Sequence, residues 1–329
     1  MTSNEAIRVV VPDDFPAVYG SAAHPDLERL HQHPRVSAVE LYGTRAETLD
    51  ELIERLDGAE VVINVRSYTV FSREVLARLP QLRLISILGT GTDNVDLAAA
   101  REQGVVVTNT PGASTVSVAE LTVALMLAAA RHIALADRRV RQGEWYHREG
   151  MELRGKTLGV VGLGAIGQEV AHLGKALGLR VIGWSLRHDP QRAAALGIEL
   201  AGSLDELLRQ ADVVTLHLRA SPQTAGIIGS KELALMKPGA VLVNTARGAL
   251  VDEAALIEAL RGRRLRAAAL DVYTQEPLGS DSPLLEVENV VLSPHVGWVT
   301  EEASARLMKM PVDNVIAWLE GRPQHVVNP

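Results

Sequence analysis

Cysteine is absent from the chain, which removes any disulfide framework and any thiol chemistry and fits a reducing compartment. No block of Lys and Arg offsets the formal net charge of -7, and this argues against nucleic acid as the main partner. Long apolar runs are also missing. The longest, residues 121–130, is too short to cross a bilayer and ends at Arg131, so no membrane partner is expected. The opening MTSNEAIRVVV has no basic segment followed by a long apolar core, and no secretory leader is expected. There is no internal repeat or low-complexity tract. His24, His31 and His33 lie near no acidic cluster, so no metal site is expected. What remains is a chain of 329 residues, 47% hydrophobic and 22% charged, which suits two domains with sizeable cores. The expectation is a cytoplasmic globular protein.

Residues 157–167, TLGVVGLGAIG, organise the rest. A strand-type run leads into Gly162, Gly164 and Gly167, and Ile166, Val170, Leu173 and Leu177 then fall on one helical face. This is the order a dinucleotide-binding turn requires. The first Gly makes the tight turn, the second admits the backbone to a pyrophosphate, and the third packs helix on strand. Ala165 and Ile166 stand at the helix start, where free N–H groups point at phosphates.

Before this turn, apolar segments at 7–11, 36–41, 61–65, 82–88 and 105–107 alternate with helical patterns at 49–56 and 73–79. Mostly unbroken apolar strands read as a parallel sheet covered on both faces. Gly89 and Gly91 would let backbone amides face an anion, and Asp96 suits a helix cap. Residues 117–142 read as one long helix ended by Gly143. Its first part is apolar almost all round, which fits an interdomain or subunit contact or a plain core helix. From residue 158 six strand candidates, 158–161, 180–184, 213–217, 240–244, 267–271 and 290–293, alternate with helices at 164–176, 204–208 and 253–261. The fold class is α/β with two doubly wound parallel-sheet domains, a flavodoxin-like substrate domain and a Rossmann cofactor domain. A helix over 300–320 contains Pro311, which should kink or break it. Its return to the first domain gives residues 1–107 plus 296–329 as one domain and 108–295 as the other.

Ligands in such sheets bind beyond the carboxyl ends of the strands. Three charged groups fall there: Arg247 in NTARG, Glu276 in DVYTQEP and His295 in LSPHVG. A guanidinium can hold a carboxylate and polarise the adjacent carbonyl. A histidine can give a proton to a developing alkoxide, and a neighbouring carboxylate fixes its tautomer.

These motifs resemble the D-isomer-specific 2-hydroxyacid dehydrogenase family. The resemblance rests on GLGAIG at 162–167, NTARGALVDEAAL at 244–256, ALDVYTQEPL at 269–278 and SPHVGW at 293–298. GTGTDNVDLAAA at 89–100, NTPG from 109 and SVAELT at 117–122 also match, closest to the phosphoglycerate dehydrogenase and hydroxypyruvate reductase branches. The gap of 29 residues (276−247) fits the family pattern. The resemblance implies that Arg247 binds the carboxylate and carbonyl of a small 2-keto or 2-hydroxy acid. It makes His295 the acid–base residue and Glu276 its support. Leu88 and Gly89 would hold the substrate carboxylate through backbone amides, and Arg66 is a further substrate contact. Thr115, Thr245 and Asp271 would hold the nicotinamide end of the cofactor, and Ala246, Gly297 and His217 are further cofactor contacts. Substrate would bind in a cleft that closes to exclude water. A homodimer joined through the cofactor domains and the long helix is also implied.

The departures set the expected specificity. Where NAD-preferring members carry an acidic residue, this chain reads WSLRH, with Ser185 in place of the acid and Arg187 two residues on. No carboxylate then meets the ribose hydroxyls and a cation can meet a 2′-phosphate, so NADP is favoured and NAD remains possible. Arg219 is either a second phosphate contact or without a role. Trp298 stands where a small residue is common and would narrow the pocket or favour an apolar substrate. Two other readings stand beside the dehydrogenase: a nucleotide-sensing, corepressor-like binding protein on the same fold, and a formate- or phosphite-type dehydrogenase. If Arg187 meets a 2′-phosphate, Arg187→Ala raises the KM for NADPH by about tenfold or more, the size of one charge-assisted hydrogen bond. The KM for NADH stays unchanged, and steady-state kinetics with both cofactors checks this.

Overall fold

A computed structural model describes residues 6–65 and 69–329 of the chain. Runs of Val, Ile and Leu without polar alternation give strands covered on both faces, and such strands pair in parallel through crossover helices. The chain divides into two units, Met1–Ser114 with Thr300–Pro329, and Thr115–Val299.

In the first unit β1 (Ile7–Val11), β2 (Val36–Leu41), β3 (Val61–Val65), β4 (Leu84–Leu88) and β5 (Val106–Thr108) lie in the order β2-β1-β3-β4-β5. Every pairing is parallel, and this is the flavodoxin-like order. Helices α1 (Pro25–His31), α2 (Leu49–Leu56), α3 (Arg73–Ala77) and α4 (Leu97–Glu102) connect the strands. Asp96 caps α4 as expected, its Oδ1 accepting the Ala99 N–H at 2.9 Å.

The second unit opens with α5 (Thr115–Arg131) and α6 (Ile133–Arg141), not with one helix. His132 takes a left-handed conformation, φ 54°, which ends α5 and bends the path by 64°. No Gly or Pro marks this break, so periodicity alone runs through it. α5 is a core helix of its unit: Ala119, Leu125, Met126, Ala129 and Ala130 pack with the sheet residues Leu158, Val160, Val241 and Val243. Among the described residues no single helix is long and apolar enough to cross a membrane; only the bent pair α5 and α6 passes that test together.

Seven strands follow, one more than the sequence reading holds. They are β6 (Thr157–Val161), β7 (Arg180–Trp184), β8 (Glu199–Leu200), β9 (Val213–Leu216), β10 (Val241–Asn244), β11 (Ala267–Leu270) and β12 (Val290–Leu292). The addition is β8, a two-residue edge strand too short to show a pattern. The order is β12-β11-β10-β9-β6-β7-β8, again with parallel pairings. Helices α7 (Ala165–Ala176), α8 (Pro190–Leu196), α9 (Leu204–Gln210), α10 (Ser230–Leu235) and α11 (Glu253–Arg261) connect them. The order reverses between β6 and β9, the switch point where dinucleotide folds bind their ligand.

The last helix, α12 (Glu301–Leu319), belongs to the first unit. It runs through Pro311 without a break. Pro311 is buried, and its carbonyl accepts the Ser86 hydroxyl of β4 at 3.0 Å, so packing holds the helix where the N–H is missing. The units meet along the chain at 114/115 and 299/300, not at 107/108 and 295/296. Backbone bonds from Asn109 to His325 and from Thr110 to Gly89, 3.2 and 3.0 Å, keep 109 and 110 in the first unit. The Asp271 carboxylate keeps 296 and 297 in the second.

The tail docks on β5. Asn328, buried, accepts the Val107 N–H through Oδ1 at 2.8 Å and donates from Nδ2 to the Val105 carbonyl at 2.8 Å. Asn328→Ala leaves both backbone groups without a partner and costs the first unit about 1–3 kcal/mol. Hydrogen exchange at the Val107 amide measures this as faster opening, with the amides of β6 and β9 unaffected.

Candidate active site

Strand β6 delivers the chain to Gly162, which takes φ +105°, a conformation L side chains avoid. Its N–H donates to the Trp184 carbonyl at 2.7 Å. A Cβ on Gly162 would lie 2.6 Å from the His217 carbonyl oxygen, and one on Gly167 would lie 1.9 Å from the Gly162 carbonyl oxygen. Both glycines are therefore demanded by the protein's own packing. Gly164 is not: a Cβ there would meet nothing within 4 Å. It is the N-cap of α7 and offers no side-chain cap to the first N–H groups of that helix. Open space over an uncapped helix N-terminus, with Ala165 and Ile166 as its first residues, fits a dinucleotide pyrophosphate.

Ser185 follows β7 and is partly exposed; Arg187 is exposed and makes no ion pair among the described residues. Arg192, by contrast, is tied to Asp189 at 3.3 Å. Arg219 is exposed, at the carboxyl side of β9. His217 sits with Nε2 2.9 Å from the Thr215 hydroxyl, and burial pushes its imidazole down to about 3, so it is neutral at physiological pH. Thr245 lies buried 2.8 Å from Thr122 Oγ1. Because Thr122 gives its proton to the Val118 carbonyl at 2.7 Å, the Thr245 hydroxyl is the donor between them. Thr115 is the first residue of α5.

The three charged groups come together within the second unit. His295 Nδ1 lies 2.6 Å from Glu276 Oε2, and Glu276 Oε1 accepts the Tyr273 N–H at 3.0 Å. Burial pushes the Glu276 carboxyl up, but the His295 hydrogen bond and charge, the Tyr273 N–H and the Arg247 charge outweigh it, and the group sits below its ordinary value. Arg247 rests its Nη1 on the Ala246 carbonyl at 2.8 Å. The Tyr273 hydroxyl donates to the Ser293 carbonyl at 2.8 Å; burial foremost, and then the Asp271 charge, pushes it up to about 12, so it keeps its proton.

Asp271 faces inward, 1% exposed. Oδ1 accepts the Ser293 hydroxyl at 2.6 Å and the Val296 N–H at 2.9 Å, and Oδ2 accepts the Gly297 N–H at 2.9 Å. These bonds hold the turn on which His295 takes φ 54°. One lone pair of Oδ2 is left for an outside donor. Sequence reading gave this residue to the nicotinamide and missed its hold on the histidine turn. It also missed Asn244 and Tyr273, whose contacts are set by tertiary neighbours.

On the substrate side, Arg66 lies outside the described residues. Leu88 ends β4 and is buried. The Gly89 N–H donates to Thr110 Oγ1 at 2.9 Å. Trp298 is partly buried, next to Gly297. Among the described residues no group of three or more His, Asp or Glu side chains could hold a metal.

The family profile described as D-isomer specific 2-hydroxyacid dehydrogenase, NAD binding domain, matches residues 123–297. A D-3-phosphoglycerate dehydrogenase of Methanocaldococcus jannaschii is 45% identical over 284 residues, 85% of this chain and 54% of that protein. A glyoxylate reductase of Aeropyrum pernix is 44% identical over 265 residues, 78% of this chain and 79% of that protein. The structure of an acyclic imino acid reductase in complex with NADPH and D-Arg superposes with a TM-score of 0.85 at 29% identity, covering 98% of this chain and all of that one. This chain spans about half the length of the phosphoglycerate dehydrogenases it matches. Fold and glycine turn define an NAD(P)-binding Rossmann protein. The chain belongs to the D-isomer-specific 2-hydroxyacid dehydrogenase family.

The two shifted groups predict the acid response of the fold. The folded His217 titrates near 3 against an ordinary 6.5, so the stability tied to its neutral form is complete above 6.5 and is lost as pH falls toward 3. The lowered Glu276 adds a second loss at more acid pH, below its ordinary 4.5. Melting temperatures from pH 8 to 3 should fall in both windows in the wild type. Glu276→Gln should flatten only the lower one, and His217→Gln the upper.

Proposed function

We propose that this chain is an NAD(P)-dependent D-2-hydroxyacid dehydrogenase that reduces a small 2-keto acid, glyoxylate and hydroxypyruvate being the first candidates. The observation that carries the reading is the 2.6 Å contact of His295 Nδ1 with Glu276, beside an arginine whose charge acts on the same carboxylate. All three stand on the carboxyl edge of the sheet that bears the glycine turn.

When bound, the nicotinamide exchanges a hydride with C2 of the acid. The chain's own residues do the rest. Arg247 pairs with the substrate carboxylate and polarises the adjacent carbonyl. Ionised Glu276 takes the His295 Nδ1 proton in a hydrogen bond, which leaves Nε2 for the substrate oxygen. In reduction Nε2 gives its proton to the oxygen as negative charge develops there, and in oxidation it takes the proton back. Arg66 and Trp298 bound the substrate.

Gly162, Gly164, Ala165, Ile166 and Gly167 hold the pyrophosphate. Thr115, Thr245, Ala246 and Gly297 lie toward the nicotinamide. NADP is the favoured cofactor. Supporting this are Ser185 where an acid would bind ribose and the exposed Arg187, which makes no ion pair among the described residues. The chain's partner is a second copy of itself. Supporting this are the exposed Leu127 of α5, Ile133 and Val140 of α6, and Trp145 and Tyr146 just beyond, a run of apolar side chains along one path.

The test is loss of reduced-nicotinamide absorbance with glyoxylate, hydroxypyruvate, phenylpyruvate and 3-phosphohydroxypyruvate, each with NADPH and NADH. Turnover of at least one acid is expected. His295→Ala should lower kcat by about 10²–10⁴ and leave the cofactor dissociation constant unchanged. Cofactor binding with no turnover of any acid would favour a nucleotide sensor instead.

A further inference from the structure

Asn244, the last residue of β10, is 1% exposed. Its side-chain Oδ1 accepts the Ala246 N–H at 3.1 Å, and its Nδ2 donates to the Arg247 carbonyl at 2.8 Å. One amide thus grips both ends of a two-residue stretch and fixes the four dihedrals that aim Arg247. The grip is anchored. The Asn244 backbone carbonyl accepts the Asp271 N–H at 3.0 Å, which ties it to β11, the strand that leads to Glu276. On the other side of Arg247, a Cβ at Gly248 would lie 2.0 Å from the carbonyl carbon and oxygen of Tyr273. The Arg247 turn therefore lies directly on the segment whose backbone N–H holds Glu276.

We infer that Asn244 is a positioning residue that sets Arg247 for the substrate carboxylate. The inference rests on the proposed role of Arg247. Asn is required because one end of the grip is a donor and the other an acceptor. Aspartate keeps the acceptor and volume but turns an oxygen toward the Arg247 carbonyl, and alanine removes both bonds. The Arg247 guanidinium rests on the Ala246 carbonyl, so a loosened peptide moves its root. Misplacement of this kind by about 1 Å costs on the order of 100-fold in rate.

Asn244→Asp and Asn244→Ala are compared with the wild type for kcat and KM with whichever 2-keto acid is turned over, and for the NADPH dissociation constant by fluorescence. The expected result is a KM raised by about tenfold or more, a lower kcat, and cofactor affinity within about twofold of wild type. The same changes are then made in an Arg247→Lys background. If Asn244 acts through Arg247, the combined loss falls well short of the product of the single losses. Fully multiplicative losses, or unchanged kinetics in Asn244→Asp, overturn the inference. So does an Asn244→Asp protein whose melting temperature and cofactor affinity fall together with turnover, since that marks a structural residue. Failure of the underlying reading looks different: Arg247→Lys itself then turns over 2-keto acids as the wild type does.

Discussion

A carboxylate out of reach of water keeps its charge only if hydrogen bonds replace its hydration. Asp271 meets that demand with one hydroxyl and two backbone N–H groups, all from residues 293–297. The bonds that satisfy the buried charge also dictate the path of the turn, and with it the left-handed backbone of His295. The imidazole then meets Glu276, and Glu276 meets the Tyr273 N–H. Tyr273 closes the circuit with its hydroxyl on the Ser293 carbonyl. The geometry of the His295–Glu276 pair thus descends from one almost wholly buried carboxylate.

Two histidines on the same sheet edge show how placement sets use. His217 has the Thr215 hydroxyl beside its Nε2, and burial suppresses its charged form far below the ordinary range. His295 instead has the Glu276 carboxylate at hydrogen-bond distance, 2.6 Å from Nδ1. One ring is thus set against a hydroxyl and the other against a carboxylate, and the proposed proton transfer rests on the second arrangement.

Much of this was readable in the sequence because it depends on local rules. Apolar runs placed the long strands to within a residue or two, and the glycine spacing located the turn between β6 and α7. Arg247, Glu276 and His295 could be singled out because each follows a strand on the ligand-binding edge, and the structure brings them together. What escaped depends on distant residues. The break at His132 has no Gly or Pro to announce it. β8 is too short to have a period. Pro311 was expected to interrupt a helix that Ser86, remote in sequence, helps to hold. The inward duty of Asp271 and the grip of Asn244 arise from where their strands end in the sheet, which composition does not encode. The bond from the Gly89 amide to Thr110 also joins residues 21 positions apart, and nothing near Gly89 in sequence announces it.

The first unit is discontinuous along the chain, and its closing helix bonds to β4 across a separation of 225 residues. The second unit is one unbroken stretch. On a ribosome the two therefore mature in the reverse of their order of appearance. The Rossmann unit can collapse once residue 299 has emerged, while the flavodoxin-like sheet, though synthesised first, waits with one face uncovered until α12 and the tail arrive. For that interval the nascent chain offers exposed apolar surface of the kind chaperones bind.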